Sequence, residues 1–328
     1  MNYPEFPGVE FMGDVHLGRR FIEGVPLDRR GDRESMIWNQ FYADLHCHDG
    51  DFHIQVGDLF DNFDVSNDTV LRAATMYISA AQKLSGCQFF VLRGNHDASR
   101  RYDKASSFEV FKKIVENVPN IMVVDEPYIS LENRFGFMPW DPYRSALMQV
   151  QTLSSLLPLT CEGLDEPPLK FVVCHCDVKH YGGDTFNVLP IDELSNLAKH
   201  IVTGHDHTKR TFKNVFVTGS MQPYSHGEDP DHTMYLTMSL EELRDTQVDL
   251  TNKYVRVMLR PGEETLAVPN CLGFKTQLLG AKEEESDITV EFESFDTVGL
   301  FRGILEELKV APAFSKLVME KFQENLNG

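Results

Sequence analysis

One pattern constrains this chain above all others, and it occurs three times in the first hundred residues. A short apolar run ends in a polar tip that sets glycine beside carboxylate, amide or imidazole groups. The runs are Val9-Glu10-Phe11-Met12, Phe52-His53-Ile54-Gln55-Val56 and Cys87-Gln88-Phe89-Phe90-Val91-Leu92. Their tips are Gly13-Asp14-Val15-His16-Leu17-Gly18, Gly57-Asp58-Leu59-Phe60-Asp61 and Arg93-Gly94-Asn95-His96-Asp97. Apolar runs of this length read as buried strands, and the stretches 34–44 and 70–84 between them carry apolar residues at helical spacing. Strand, helix, strand in repetition implies parallel strands joined by crossover helices, hence an α/β fold. Ligands of such folds bind beyond the carboxyl ends of the strands, and glycine there lets the chain turn sharply and approach a ligand closely. Three polar tips in register therefore point to a site.

The same layout continues downstream. A helix is expected over 105–118, a strand over 121–124, a sheet segment and turn over 131–142 with Trp140 and Tyr143 in the core, and a helix over 149–157. An acidic loop at 162–168 precedes the buried strand 169–174, which delivers His175 at its tip. Cys174 and Cys176 flank it on the opposite face and read as core thiols. Helix 191–199 and strand 200–203 then lead to Gly204-His205-Asp206-His207. On extended backbone, residues i and i+2 share a face, so His205 can face the same point as His207, and Asp14 the same point as His16. Each pair alone has a bland reading, a hydrogen-bonded loop histidine or an aspartate capping a turn. Together, mixed oxygen and nitrogen donors suit Mn²⁺, Fe or Zn²⁺ better than calcium. His46-Cys47-His48 precedes a strand instead of ending one and has no further donor spaced to complete a site, so it is read as non-metal.

Strands are expected over 214–220, 234–238 and 248–259, a mixed region over 272–292 with a charged turn at 282–285, and two terminal helical stripes, through Val298, Phe301, Ile304, Leu305 and Leu308 and through Phe314, Val318 and Phe322. The stripes could pack internally or dock another protein. The expected division is a catalytic domain at 1–245 and a small capping or partner-binding region at 246–328.

Charge limits the partners. With 31 basic against 50 acidic residues, the net charge of −19 argues against gripping nucleic acid over the whole surface. A polyanion would have to be held locally, by bound cations or by a partner's basic groove. Arg93, Arg100, Arg101 and Lys104, beside the third tip, could steer phosphates or be solvated surface charge. No apolar run reaches membrane-spanning length and the first residues lack a signal-peptide pattern, so a cytoplasmic protein with reduced thiols is expected.

In order, Asp14-x-His16, Gly57-Asp58, Gly94-Asn95-His96-Asp97, His175 and Gly204-His205-x-His207 resemble the five sequence blocks of the calcineurin-like metallophosphoesterases. Within that superfamily the chain is most similar to SbcD-type nuclease subunits of double-strand-break repair. Asp-Val-His-Leu-Gly, Gly-Asp-Leu-Phe-Asp, Arg-Gly-Asn-His-Asp and the later Gly-Ser-Met-Gln-Pro-Tyr-Ser-His-Gly-Glu carry that similarity over about residues 9–230. The resemblance implies a four-layer α-β-β-α sandwich with a small C-terminal extension, and two divalent ions, Mn²⁺ foremost. By it, Asp14, His16, Asp58 and His207 hold one ion, and Asp58, Asn95, His175 and His205 the other, with Asp58 bridging. His96 contacts the phosphate and protonates or stabilises the leaving oxygen. Arg93, Arg100 and Arg101 are the candidate substrate-binding residues.

The resemblance further implies a DNA nuclease that hydrolyses phosphodiesters with a metal-activated hydroxide, acting as a homodimer through the helix after Arg30 and with an SbcC-like ATPase. Asp61-Asn62 stands where serine/threonine phosphatases of the superfamily usually carry an arginine, which counts against a phosphoprotein substrate. The alternative is a stand-alone phosphoesterase for nucleotides or other small phosphate esters, which the acidic balance favours.

Overall fold

Strands β1 (Val9–Met12), β2 (Phe52–Gln55), β3 (Gln88–Leu92) and β4 (Ile121–Val124) form one all-parallel sheet in that order. Strands β2 and β3 are buried on both faces, which is why they read as apolar runs without alternation. In this computed structural model, residues 6–99, 104–158, 166–178, 186–264 and 270–279 are described. Helices α1 (Asp32–His46), α2 (Asn67–Lys83) and α3 (Ser107–Val115) cover the outer face of the sheet. Ile37, Phe41, Leu45, Ala74, Tyr77, Phe108 and Phe111 from these helices meet Met12, Phe89 and Val91 there. Ser66 caps α2, and Ser106 with Glu109 closes a capping box on α3, so free N–H groups of both first turns are satisfied.

The second sheet has six strands. These are β5 (Tyr128–Ser130), β6 (Phe135–Met138), β7 (Leu169–Cys174), β8 (Ala198–Thr203), β9 (Arg210–Phe212) and β10 (Val215–Val217), in the order β5-β6-β7-β8-β10-β9. Its four central strands are parallel and both edge strands antiparallel. Helices α4 (Ala146–Leu156) and α5 (Ile191–Leu197) lie on its outer face through Val150, Leu153 and Leu194. Between the sheets, Ile54, Val56, Phe90 and Leu92 meet Phe135, Phe137, Phe171, Val173, Val202 and Phe216. The layers are thus α-β-β-α, and the inner strands of both sheets bring their carboxyl ends to a shared edge.

A third, all-parallel sheet is built from β11 (Tyr235–Ser239), β12 (Tyr254–Leu259) and β13 (Gly273–Leu278), with α6 (Leu240–Asp245) beside it. Leu240, Val255, Val257, Leu259 and Cys271 give it a core of its own. Arg29 donates to Asn270 Oδ1 and to the Thr251 carbonyl, both at 2.9 Å, and so ties the loop before α1 to this sheet. Residue 245, the expected domain boundary, falls between β11 and β12.

Two local expectations change, and three short elements were not expected. The strand expected from 248 begins at Tyr254, because the Asp249 carboxylate accepts the Thr251 N–H at 3.0 Å and the chain turns there. Trp140 is buried, but Tyr143 is 49% exposed: the Asp141 carboxylate accepts the Tyr143 and Arg144 N–H groups at 2.8 and 3.0 Å, and this turn swings the tyrosine outward. Strands β5 and β9 and helix α6 carry too few residues to show a period. The charged turn at 282–285 and both terminal stripes lie outside the described residues. Among the described residues no helix is long and apolar enough to cross a membrane.

Candidate metal centre

Backbone strain marks the site before any side chain is considered. His16, Asp58 and His205 are three of the six described non-glycine residues with positive φ, at +50°, +52° and +74°. Such conformations cost roughly 1–3 kcal/mol each and persist where the surroundings impose them. The N–H groups of Val15 and His16 both donate to the Asp58 carbonyl at 3.0 Å, which locks the first tip onto the second. Asp97, fully buried, accepts the N–H groups of Leu59 at 3.1 Å, Phe60 at 2.9 Å and Gly94 at 2.9 Å, which locks the second tip onto the third. Glycine is required where these loops touch: a Cβ at Gly94 would collide with the Asp58 backbone N and carboxylate, and one at Gly204 would lie 2.6 Å from Asp14 Oδ1.

Around Asp14 the first group of donors converges. Ligand atoms of Asp14, His16 and His207 all lie within 4.8 Å of one another, as do those of His16, Asp58 and His96. His16 Nε2 is 3.0 Å from His207 Nε2 and 3.8 Å from Asp58 Oδ2, and His207 Nε2 is 3.4 Å from Asp14 Oδ2. Burial holds the His16 imidazole well below its ordinary pKa and keeps it neutral, although Asp58 pulls the other way. His207 behaves oppositely. Burial opposes its charging, but Asp14 and Glu228 outweigh burial and push it up to about 10. Its Nδ1 lies 3.2 Å from Glu228 Oε1, which leaves Nε2 turned to the cluster.

A second group faces the first across Asp58. Asp58, His175 and His205 also bring ligand atoms within 4.8 Å. Asn95 Oδ1 joins them, 2.9 Å from His175 Nε2 and 2.8 Å from His205 Nδ1. His175 Nδ1 donates to the Val56 carbonyl at 2.9 Å, and its Nε2 is 3.4 Å from Asp58 Oδ2. Burial disfavours the imidazolium, yet Asp58 and Asp14 push the His175 pKa up to about 10. The Asp58 carboxyl is held well below the usual carboxylate range, since His175 and His16 overcome its burial. His205 Nε2 is 2.7 Å from Asp177 Oδ1. Asp58 thus stands between two nests of imidazole nitrogen, carboxylate oxygen and amide oxygen. This donor chemistry fits divalent transition ions, and positive charge placed there would relieve the crowding of Asp14 and Asp58.

His96 sits at the exposed side of this pair of clusters. Its backbone N–H donates to Asp58 Oδ1 at 2.9 Å, its Nδ1 donates to the Asp61 carbonyl at 2.6 Å, and its ring stands edge-on to His16 at 4.8 Å. Arg93 Nε donates to the Trp140 carbonyl at 3.0 Å, so part of that guanidinium is already engaged with backbone. Arg100 and Arg101 lie outside the described residues. Among the described residues the three metal-capable groups do not include His46 or His48; His46 spends its ring nitrogens on the Tyr42 carbonyl and Ser79. Cys174 and Cys176 are buried in the core beneath α4 and α5.

Three contributors escaped sequence reasoning. Asp177 and Glu228 back the two histidines, and Tyr224 donates to the Val15 carbonyl while its ring lies 5.3 Å from that of His16 and 5.9 Å from that of His207. Asp177 follows a recognised tip by two residues, and Tyr224 and Glu228 lie in the Gly-Ser-Met-Gln-Pro-Tyr-Ser-His-Gly-Glu stretch, so a sequence signal was present for all three.

The family model for calcineurin-like phosphoesterases matches residues 10–209, well over half of the chain. The chain belongs to that family, whose members hydrolyse phosphoesters with divalent metal ions. No curated protein matches it.

Proposed function

We propose that this chain is a dinuclear-metal phosphodiesterase acting on DNA, a nuclease subunit similar to the SbcD type. In this reading Asp14, His16, Asp58 and His207 would hold one divalent ion, Mn²⁺ foremost, and Asp58, Asn95, His175 and His205 would hold the other. The observation that carries it is the position of the Asp58 carboxylate between two convergent donor groups, with His96 at the open side. Ions bound there would lower the pKa of a water and draw charge from the phosphate. The protein's own contribution is positional. The tips hold Asp58 and Asn95 in place, and the Asp61 carbonyl fixes the His96 ring so that Nε2 is the atom left to carry a proton to the departing oxygen.

The choice of DNA rests on the likeness of Asp14–Gly18, Gly57–Asp61 and Arg93–Asp97 to the SbcD-type blocks. With it go a cytoplasmic homodimer and an SbcC-like ATPase partner engaging residues 246–328. The partner would supply the basic surface that a chain of net charge −19 lacks. That charge supports a second reading, a stand-alone phosphoesterase for nucleotides or other small phosphate esters. Incubating the full chain and Mn²⁺ with linear DNA, and in parallel with cyclic and mononucleotides, separates the two. DNA degradation is expected; nucleotide turnover beside intact DNA would sink the nuclease reading in favour of the second.

A further inference from the structure

The His16 ring has two sides, and only Nε2 faces the donor clusters. Its other nitrogen, Nδ1, lies 3.5 Å from Asp61 Oδ1, and the same oxygen is 3.8 Å from a guanidinium nitrogen of Arg19. Beside this edge opens a recess of about 70 Å³, lined by His16, Gly18, Arg19, Arg20, Glu34 and Trp38 among others.

Arg19 is held in place without using its hydrogen bonds. Its guanidinium carbon sits 4.8 Å over the Tyr224 ring and 5.9 Å over that of Phe21, while its separation from Asp61 is beyond hydrogen-bond reach. Among the described residues its side-chain N–H groups make no hydrogen bond, and the side chain is 35% exposed. Arg20, next to it, is exposed and makes no ion pair or hydrogen bond among the described residues. The recess is shaped as well as charged. Gly18, at φ +97°, reverses the chain against Val65 and Thr69, and Trp38 is fixed from behind by the Arg72 guanidinium at 4.2 Å. Two guanidiniums stand here against two carboxylates: Asp61, 3.8 Å from Arg19, and Glu34, whose Oε1 is already taken by the Phe21 N–H at 3.2 Å. A stacked arginine with its fork of donors free is pre-organised for an oxyanion such as phosphate.

The His16 imidazole and the Asp61 carboxylate stand between Arg19 and the ion-facing Nε2. The guanidinium is therefore placed for an anionic group next to the reacting phosphate and not for that phosphate itself. We propose that the recess behind His16 is a subsite for a second phosphate of the substrate, clamped by Arg19 with Arg20 as the outer charge. The inference rests on the phosphoesterase reading and narrows it to substrates with at least two phosphates. A nucleic-acid strand and a pyrophosphate-bridged dinucleotide share that chemistry.

Three substrates test it with wild-type chain, Arg19→Gln and Arg19→Lys in Mn²⁺. They are bis(p-nitrophenyl) phosphate, with one phosphate, 5′-phosphorylated dithymidine, and a P¹,P²-dinucleoside pyrophosphate. Arg19→Gln should lower kcat/KM for a two-phosphate substrate, relative to the one-phosphate diester, by at least about tenfold, chiefly through KM. Arg19→Lys should recover part of this, since it restores charge but not the fork. The two-phosphate substrate that shows the loss identifies the strand or the pyrophosphate as the source. A binding arm is independent of turnover: tryptophan fluorescence titrated with the phosphorothioate form of 5′-phosphorylated dithymidine should respond in wild type and lose the response in Arg19→Gln. An unmoved ratio with an unchanged titration overturns the subsite. If the wild type hydrolyses none of the three, the phosphoesterase reading fails and the inference falls with it.

Discussion

Behind three of the imidazoles in the two clusters stands an acceptor that takes the nitrogen turned away from the site. His175 is held by the Val56 carbonyl, His205 by Asp177 and His207 by Glu228. Such partners fix the ring and its tautomer and raise its basicity toward an ion. Glu228 is itself pinned, accepting the Tyr224 N–H at 2.8 Å and the Ser225 hydroxyl at 3.1 Å. Asp177→Asn and Glu228→Gln keep the shape of each side chain and remove its charge. If the proposed pair of ions is bound, each variant should weaken Mn²⁺ binding by roughly 10–100-fold at one of them, Glu228→Gln beside Asp14 and Asp177→Asn beside Asn95. Calorimetric titration of both variants checks this, and two ions bound at wild-type affinity in either would refute the role.

The elements matter through their ends. Strands β1, β2 and β3 are in register, with Met12 opposite Gln55 and Gln55 opposite Val91, so their tips emerge side by side. Asp97 then joins the second and third tips through three backbone N–H groups. In Asp97→Asn one carboxylate oxygen becomes an NH₂ facing N–H donors, and a buried donor loses its acceptor. A loss of about 2 kcal/mol in unfolding free energy is expected, read from the urea midpoint at unchanged slope. A midpoint equal to wild type would show that the tips hold together without this carboxylate.

Across the molecule, the site concentrates charge in a way that makes stability depend on pH once ions are stripped. His175 and His207, raised from an ordinary 6.5 to about 10 by Asp58, Asp14 and Glu228, stay protonated in the metal-free fold at pH values where the unfolded chain has released those protons. Their contribution is full below about pH 6.5 and is lost as pH rises toward 10. Chelator-treated protein should therefore melt at progressively lower temperature between those limits, whereas protein in saturating Mn²⁺ should not follow, since the ions displace the same protons. Parallel curves with and without chelator would contradict this account.

The sequence by itself determined the kinds of donor and the strand tips that carry them. Apolar runs ending in glycine and a polar residue report burial and a turn, both local properties that single residues encode. It also made the α/β class legible, since crossover helices leave a 3.6-residue period between the strands. It could not place Tyr143, whose direction depends on one Asp141 turn, nor show that Asp177 and Glu228 back His205 and His207, since each pairing joins separate loops. Which donors meet was decided by the tertiary structure alone. His16 and His207 are 191 residues apart, yet their Nε2 atoms lie 3.0 Å from each other because two sheets stack with their carboxyl ends on one edge. His205 and His207 are nearly adjacent in sequence, yet one faces Asn95 and the other His16, since positive φ at His205 turns the chain between them. Spacing along a strand gives direction only, whereas shared coordination is set by long-range contacts.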